Sequence, residues 1–154
     1  MTSGKPRILG ICENRRARYH YSVEETFQAG LCLSGTEVKA LRSGKASLQE
    51  AWIKLQEGEA FLQQAHISPY SHGNLENHQP LRPRKLLLRR SELRRLGIAT
   101  REKGRSLVPL SLYFRGSFVK LRLALATGRK AHDKRQQLRE REQRLEMARA
   151  LKKL

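Results

Sequence analysis

Residues 107–126 read LVPLSLYFRGSFVKLRLALA and carry the clearest structural signal in this sequence of 154 residues. After the Arg115-Gly116 pair, apolar side chains occupy every second position and two cations lie between them: Val119, Leu121, Leu123 and Leu125 alternate with Lys120 and Arg122. Alternation with a period of two is typical of a half-buried strand, and a short glycine-containing link between two such runs indicates a hairpin. The stretch therefore predicts two antiparallel strands.

Similar but weaker signals precede this hairpin. Alternation over 19–27 predicts another strand, and 48–55 with 60–67 predicts a second hairpin around the turn at 56–59. Residues 85–88 fit either a short strand or the entry to a helix. Five or six strands at hairpin spacing indicate a mainly antiparallel β fold.

Two short helices and one long loop complete the pattern. Residues 36–42 predict a helix with Thr36 as its N-cap, and a second helix is predicted to begin at Ser91 and to end at Gly104. The segment 68–85 has no period and is rich in Pro, Gly and Asn. So long a loop in a small domain is usually functional.

These elements predict a small antiparallel OB-like β-barrel with short flanking helices. Such barrels present curved faces and loops to nucleic acid. We expect a flexible leader over 1–13, an OB-like RNA-binding barrel over 14–128 and a basic C-terminal tail over 129–154.

Charge is distributed unevenly along the chain. The formal net charge is +18, yet residues 1–81 hold nine basic and eight acidic groups, whereas 82–105 hold ten basic and two acidic groups. The tail adds ten basic and four acidic groups. Two separate cationic regions favour nucleic acid as the partner, over a surface charge that serves only solubility.

The composition of the tail, 129–154, is not that of a segment that folds by itself. Its apolar residues are too sparse to offset an ordering entropy of about 1–2 kcal/mol per residue. We therefore expect it to be disordered alone and helical when bound to a polyanion.

The body contains an arginine-rich stretch that suits phosphate, because a guanidinium binds phosphate bidentately and stacks on bases. Aromatic residues make up only 6% of the chain, and no pair has the spacing of a stacking platform. We therefore expect the body to recognise RNA shape and backbone more than single-stranded bases. Its basic residues are Arg82, Arg84, Lys85, Arg89, Arg90, Arg94 and Arg95, to which Arg15, Arg16 and Arg18 are added.

No pattern typical of an enzyme is present. The chain has one aspartate, Asp133, and lacks the common hydrolase and phosphate-loop motifs. His66, His72 and His78 recur every six residues, but this spacing matches no common metal site. We expect no catalytic residue, no metal and no cofactor.

We expect a cytoplasmic monomer. No run of apolar residues is long enough to span a membrane or to form a signal peptide. Cys12 and Cys32 lack a C-x-x-C spacing and are expected to be reduced.

Six blocks in the same order and spacing resemble the small protein B family, the SsrA-binding proteins of bacteria. They are NRRAR at 14–18, EETF at 24–27, GTEVK at 35–39, RKLLL at 84–88, LVPL at 107–110 and HDKR at 132–135. The resemblance implies an OB-like adaptor that is not an enzyme. It implies binding to the tRNA-like domain of transfer-messenger RNA and its delivery to ribosomes stalled without a stop codon. It further implies that the tail probes the decoding centre and the empty mRNA channel.

The resemblance also implies site residues. Those for transfer-messenger RNA are Arg15, Arg16, Arg18, Gln28, Gly35, Thr36, Glu37, Lys39, Arg82, Arg84, Lys85, Leu87 and Arg89. Those for ribosomal RNA of the small subunit are Gly128, Arg129, Lys130, His132, Asp133, Lys134, Arg135, Arg139 and Arg141. Three positions depart from the family pattern: Gln28 often is Glu, Arg89 often is Asn or His, and Gln79 usually is Asp.

Two other functions are compatible with the sequence. A general tRNA- or ribosome-binding OB protein with a cationic tail would bind ordinary tRNA as well as transfer-messenger RNA. An RNA-processing enzyme would need His66 or His78 for its chemistry.

Overall fold

A computed structural model describes residues 4–72, 76–129 and 131–153. Within these residues the chain forms nine strands and four helices. In chain order they are β1 (Ile8–Glu13), α1 (Arg15–His20), β2 (Tyr21–Leu31), α2 (Gly35–Arg42), β3 (Ala46–Ser47), β4 (Trp52–Gln56), β5 (Glu59–Gln63), β6 (His66–Ile67), β7 (Arg84–Leu87), α3 (Arg90–Ala99), β8 (Arg105–Arg115), β9 (Phe118–Gly128) and α4 (Ala131–Lys152).

Seven strands form one sheet in the order β1-β8-β9-β2-β7-β5-β4, and all of their pairings are antiparallel. The strands β3 and β6 pair separately. The prediction of a mainly antiparallel β fold with short helices is confirmed. The order leaves β1 and β4 as the two edges of the larger sheet.

The predicted hairpin at 107–126 is confirmed as β8 and β9. Arg115 pairs with Phe118, and Gly116 adopts a φ of 61° in the turn, where a Cβ would be strained. The second predicted hairpin is also present with shorter strands, β4 and β5, and Gly58 has a φ of 75° in its turn. Alternation with a period of two therefore located the first hairpin, and the turn signal at 56–59 located the second.

The larger of two hydrophobic clusters lies against one face of the sheet. Leu121 and Leu123 of β9 are fully buried there, as is Leu62 of β5. Leu41 of α2 and Leu96 of α3 pack into the same cluster. Burying each such leucine contributes roughly 1.5–3 kcal/mol, which fixes both helices on the sheet.

Several bounds differ from those expected. A flexible leader was expected over 1–13, whereas β1 pairs with β8 within this segment. The N-cap of α2 is Ser34 rather than Thr36, because the Ser34 hydroxyl accepts the Glu37 amide while the Glu37 carboxylate accepts the Ser34 amide. The helix α3 ends at Ala99, before Gly104.

Residues 85–88 were compatible with a strand or a helix entry, and 85–87 belong to the strand β7. The tail is helical, as predicted for its bound form, and the side chains described over 135–153 are exposed apart from Gln137. The prediction that the free tail is disordered stays a prediction.

Candidate nucleic-acid interface

One polar and cationic row crosses the exposed face of three neighbouring strands, β7, β2 and β9. On β2, Gln28 pairs with Arg122, and Gly30 pairs with both Leu87 and Lys120. Directly paired residues of antiparallel strands point to the same face. We call this surface the outer β face and define it by Gln28, Lys85, Leu87, Lys120 and Arg122.

Leu87 is the apolar member of the outer β face, and 52% of it is exposed. It lies against Gly30, where an added Cβ would come within 3.3 Å of the Leu87 Cβ. Glycine at position 30 therefore lets the leucine lie across the neighbouring strand. An exposed leucine beside polar side chains is suited to pack on a ribose or a base.

The cations of the outer β face are held loosely. The Lys85 ammonium lies 3.0 Å from the Glu59 carboxylate, and both side chains are exposed. Such a surface pair contributes at most about 1 kcal/mol, so a phosphate competes with it readily. The Arg122 guanidinium lies 5.7 Å from the centre of the Tyr113 ring, which is nearly buried.

A buried ion-pair network lies beneath this part of the molecule. Glu37 of α2 and Arg84 of β7 are both 0% exposed. The Arg84 guanidinium donates to the Glu37 carboxylate at 2.5 Å, to the Ala65 carbonyl at 2.6 Å and to the Pro80 carbonyl at 3.1 Å. It thereby joins α2, β7 and both ends of the segment between β5 and β7.

Arg82 links this network to the surface. Its guanidinium donates to the same Glu37 carboxylate and, at 3.2 Å, to the Cys32 carbonyl, while its side chain is 34% exposed. Burial alone would raise the pKa of Glu37, but hydrogen bonds from Arg82, the Ser34 amide and Arg84 hold it below its ordinary value. Burial lowers the pKa of Arg84, and Glu37 opposes that shift.

Two of the residues expected at the RNA surface are buried in this network. Both Glu37 and Arg84 are enclosed, and their polar atoms are already occupied by protein partners. Removing two charges from water is costly unless they are paired and hydrogen-bonded, which is what this arrangement provides. Their place in the fold is to hold α2 and the neighbouring loop in position.

A histidine anchors the loop that ends at Pro83. The Nε2 atom of His78 lies 2.9 Å from the Ile67 carbonyl, and its Nδ1 atom lies 2.9 Å from the Thr36 hydroxyl. A carbonyl oxygen only accepts, so Nε2 donates to Ile67, while Nδ1 and the Thr36 hydroxyl share a second hydrogen bond. Thr36, expected at the RNA surface, therefore serves the loop through its hydroxyl.

The other predicted body residues are exposed. Gly35 and Lys39 lie on α2, with the Lys39 ammonium 5.4 Å from the centre of the Tyr70 ring. Arg89 is the N-cap residue of α3, and the exposed cations Arg90, Arg94 and Arg95 follow on that helix. At the other end of β2, α1 exposes Arg15, Arg16 and Arg18.

The base of the tail is attached to the body. The Arg129 amide donates to the His20 carbonyl at 2.8 Å, and its Nε atom donates to the Tyr21 carbonyl at 3.1 Å. Gly128 ends β9, and Arg135, Arg139 and Arg141 are exposed on α4. Lys130 and the side chains of His132, Asp133 and Lys134 lie outside the described residues.

Sequence reasoning did not assign Lys120 and Arg122 to the interface. Their alternation along β9 was visible, but the strand that would lie beside them was not. The three histidines at six-residue spacing form no metal site among residues 4–72, 76–129 and 131–153, where no group of three ligating side chains comes together. Burial raises the pKa of the free Cys12 thiol to about 11, which makes this thiol unreactive.

The sequence pattern of the SmpB protein family matches residues 11–153. The chain belongs to the SmpB family. Within that family it is 51% identical over 140 residues to the SsrA-binding protein of Desulforudis audaxviator, covering 91% of this chain and 92% of the relative.

Two further comparisons agree with membership of the SmpB family. The SsrA-binding protein of Symbiobacterium thermophilum is 50% identical over 153 residues, which cover 99% of this chain and 97% of that protein. A chain in the solved structure "tmRNA-SmpB: a journey to the center of the bacterial ribosome" superposes with a TM-score of 0.66 at 46% identity, covering 78% of this chain and 85% of that one. None of the described helices is both long and apolar enough to cross a membrane.

Proposed function

We propose that this protein is an RNA-binding adaptor of trans-translation. It binds the tRNA-like domain of transfer-messenger RNA through its body and delivers that RNA to ribosomes stalled without a stop codon. Its tail then probes the decoding centre and the empty mRNA channel. The proposal is supported by one observation: this member of the SmpB family has two cationic surfaces, one on the body and one on α4.

The body surface for the tRNA-like domain consists of exposed and partly exposed groups. The outer β face supplies a leucine and three cations, and the exposed arginine Arg89 follows β7 within two residues of Leu87. Lys39 and Arg82 flank it near α2, while Arg15, Arg16 and Arg18 supply phosphate contacts from α1. Glu37 and Arg84 act as positioning residues beneath this surface.

The tail provides the ribosomal contact. Gly128 and Arg129 form its root, and the segment 130–135 with Arg139 and Arg141 faces ribosomal RNA of the small subunit. A helix with charge on most sides and few apolar residues binds a polyanion better than a protein core.

The division of labour defines two functional units, the body over 14–128 and the tail over 129–154. Recognition and delivery require no bond to be made or broken, so the adaptor works without catalysis or cofactor. It acts as a monomer in the cytoplasm, where stalled ribosomes are found.

The alternative is a general tRNA-binding protein. Selectivity for the tRNA-like domain over ordinary tRNA distinguishes the adaptor from this alternative. Phosphate contacts alone discriminate little between folded RNAs and weaken steeply as salt rises. A selective adaptor therefore keeps its preference for the tRNA-like domain when bulk tRNA competes at physiological salt, whereas a general binder loses it.

The test compares the full-length protein with a form that stops after Arg129. The truncation retains Arg129 because this residue bonds to the body. We expect both forms to bind the tRNA-like domain selectively, and only the full-length protein to support peptide tagging on stalled ribosomes. Loss of selective binding on truncation would contradict the division of labour, and equal affinity for bulk tRNA would favour the alternative.

A further inference from the structure

A pocket of about 260 Å³ lies beside the edge strand β4, and none of the residues that define the outer β face lines it. Trp52, the only tryptophan of the chain, lies at its rim on the first residue of β4, and 48% of it is exposed. A single exposed ring on an edge strand is not by itself evidence of a site, so the groups that surround Trp52 decide what it can bind.

Groups from three separate elements meet Trp52 in this pocket. The helix α1 and the start of β2 supply Arg16, His20 and Tyr21, and β8 supplies Pro109 to the wall. The Asn14 amide donates to the Pro109 carbonyl at 2.9 Å, which fixes the start of α1 to that wall. The pocket is thus lined by three aromatic rings, from Trp52, His20 and Tyr21, and by the Arg16 guanidinium.

We propose that this pocket binds an unpaired nucleobase of an RNA, stacked on Trp52, with the adjoining phosphate on Arg16. The inference rests on the proposed function in taking RNA as the ligand and Arg16 as a phosphate contact. Every base has a π face, so stacking on an aromatic ring tolerates any sequence, and arginine adds both stacking and phosphate binding. Arg15 and Arg18 on the same helix favour a polyanion over a neutral or cationic peptide.

One carboxylate sets the orientation of a nucleotide bound in the pocket. Glu50, exposed at the rim, repels a phosphate but accepts hydrogen bonds from an exocyclic amino group. The nucleotide therefore enters with its phosphate towards Arg16 and its base edge towards Glu50. Adenine, cytosine and guanine carry such an amino group, whereas uracil does not, so the pocket disfavours uridine.

The single tryptophan makes the test direct, because all tryptophan emission of the full-length protein comes from this pocket. Trp52 emission and its accessibility to acrylamide are followed while RNA is added, and total binding is measured in parallel by gel shift. One arm uses the tRNA-like domain RNA and the other uses protein-free small-subunit ribosomal RNA, which separates the two possible sources of the base.

We expect quenching and protection from acrylamide with at least one of these RNAs. Trp52→Ala should weaken binding of that RNA about five- to a hundred-fold, as expected for loss of one base–aromatic stack, while Trp52→Phe restores most of it. The matched control is Ile8→Ala, since Ile8 is 65% exposed on β1, the opposite edge strand of the sheet, and should leave binding unchanged.

The outcomes distinguish this inference from the proposed function. Tight binding of both RNAs with unchanged Trp52 emission overturns the pocket as a nucleobase site and leaves the adaptor function intact. Quenching without loss of affinity in Trp52→Ala also overturns it, because the ring would then be near the RNA without stacking on it. Absence of binding to the tRNA-like domain contradicts the proposed function itself.

Discussion

Replacing Glu37 by glutamine tests whether the buried network holds the RNA-binding surface together. The change Glu37→Gln keeps the size of the side chain and an oxygen that can accept the Ser34 amide, so the capping box of α2 is retained. What it removes is the negative charge that faces Arg82 and Arg84. Since Arg84 is fully enclosed, it becomes a buried cation without a counter-charge.

The expected loss of stability is large. Breaking a buried ion pair by removing one partner costs about 3–5 kcal/mol. For a chain of this length, each kcal/mol corresponds to roughly 2–4 °C in Tm, so we expect Tm to fall by about 6–20 °C. Circular dichroism during heating, with urea unfolding for the free energy, measures both quantities.

The matched control is Glu59→Gln. This change removes a carboxylate of the same type from the exposed pair with Lys85, for which we expect a loss of at most about 1 kcal/mol. If Glu37→Gln cost no more than this control, the argument from burial would be refuted. RNA binding supplies a second readout, because a buried carboxylate makes no phosphate contact. Below the unfolding transition, the slope of log affinity against log salt should be unchanged.

Four further results are expected. Lys85→Gln should reduce the slope of log affinity against log salt by about 1, measured with the tRNA-like domain, because one phosphate contact is lost. Gly30→Ala should weaken RNA binding without unfolding the protein, seen by gel shift and circular dichroism, because its Cβ displaces Leu87. Leu121→Ala should lower the free energy of unfolding in urea by about 2–5 kcal/mol, since this side chain is fully buried in the core. The pKa of Glu37 is lowered in the folded state, so the ionised carboxylate stabilises the fold fully at a pH above its ordinary pKa of 4.5. This stabilisation is lost as the pH falls through the lower pKa of the folded state. Glu37→Gln should therefore flatten this part of the curve of unfolding free energy against pH.

The sequence predicted the strands better than the contacts between them. Alternation at Val119, Leu121 and Leu123 depends only on neighbours two residues away, so it located β9 without knowledge of the partner strands. The helix α1 was missed because it has only six residues and buries a single one, Ala17, which leaves no periodic pattern to detect.

The sequence predicted which types of side chain bind RNA, but not which of those side chains lie together on the surface. Arg84 and Lys85 are adjacent cations in the sequence, yet successive residues of a strand point to opposite faces, so one is enclosed and the other exposed. Trp52 and Tyr21 line one pocket although no short spacing connects them. Such juxtapositions depend on strand order, which local patterns do not determine.

The attachment of Arg129 to the carbonyls of His20 and Tyr21 has a kinetic consequence. The tail leaves the body from a fixed point, and its helix of 22 residues reaches about 33 Å from there. Once the body has docked, the tail searches a small volume as a tethered ligand, at an effective concentration that can reach millimolar for a short link. A tail contact too weak to survive as a free peptide would then be occupied most of the time, and it would be released as soon as the body departs.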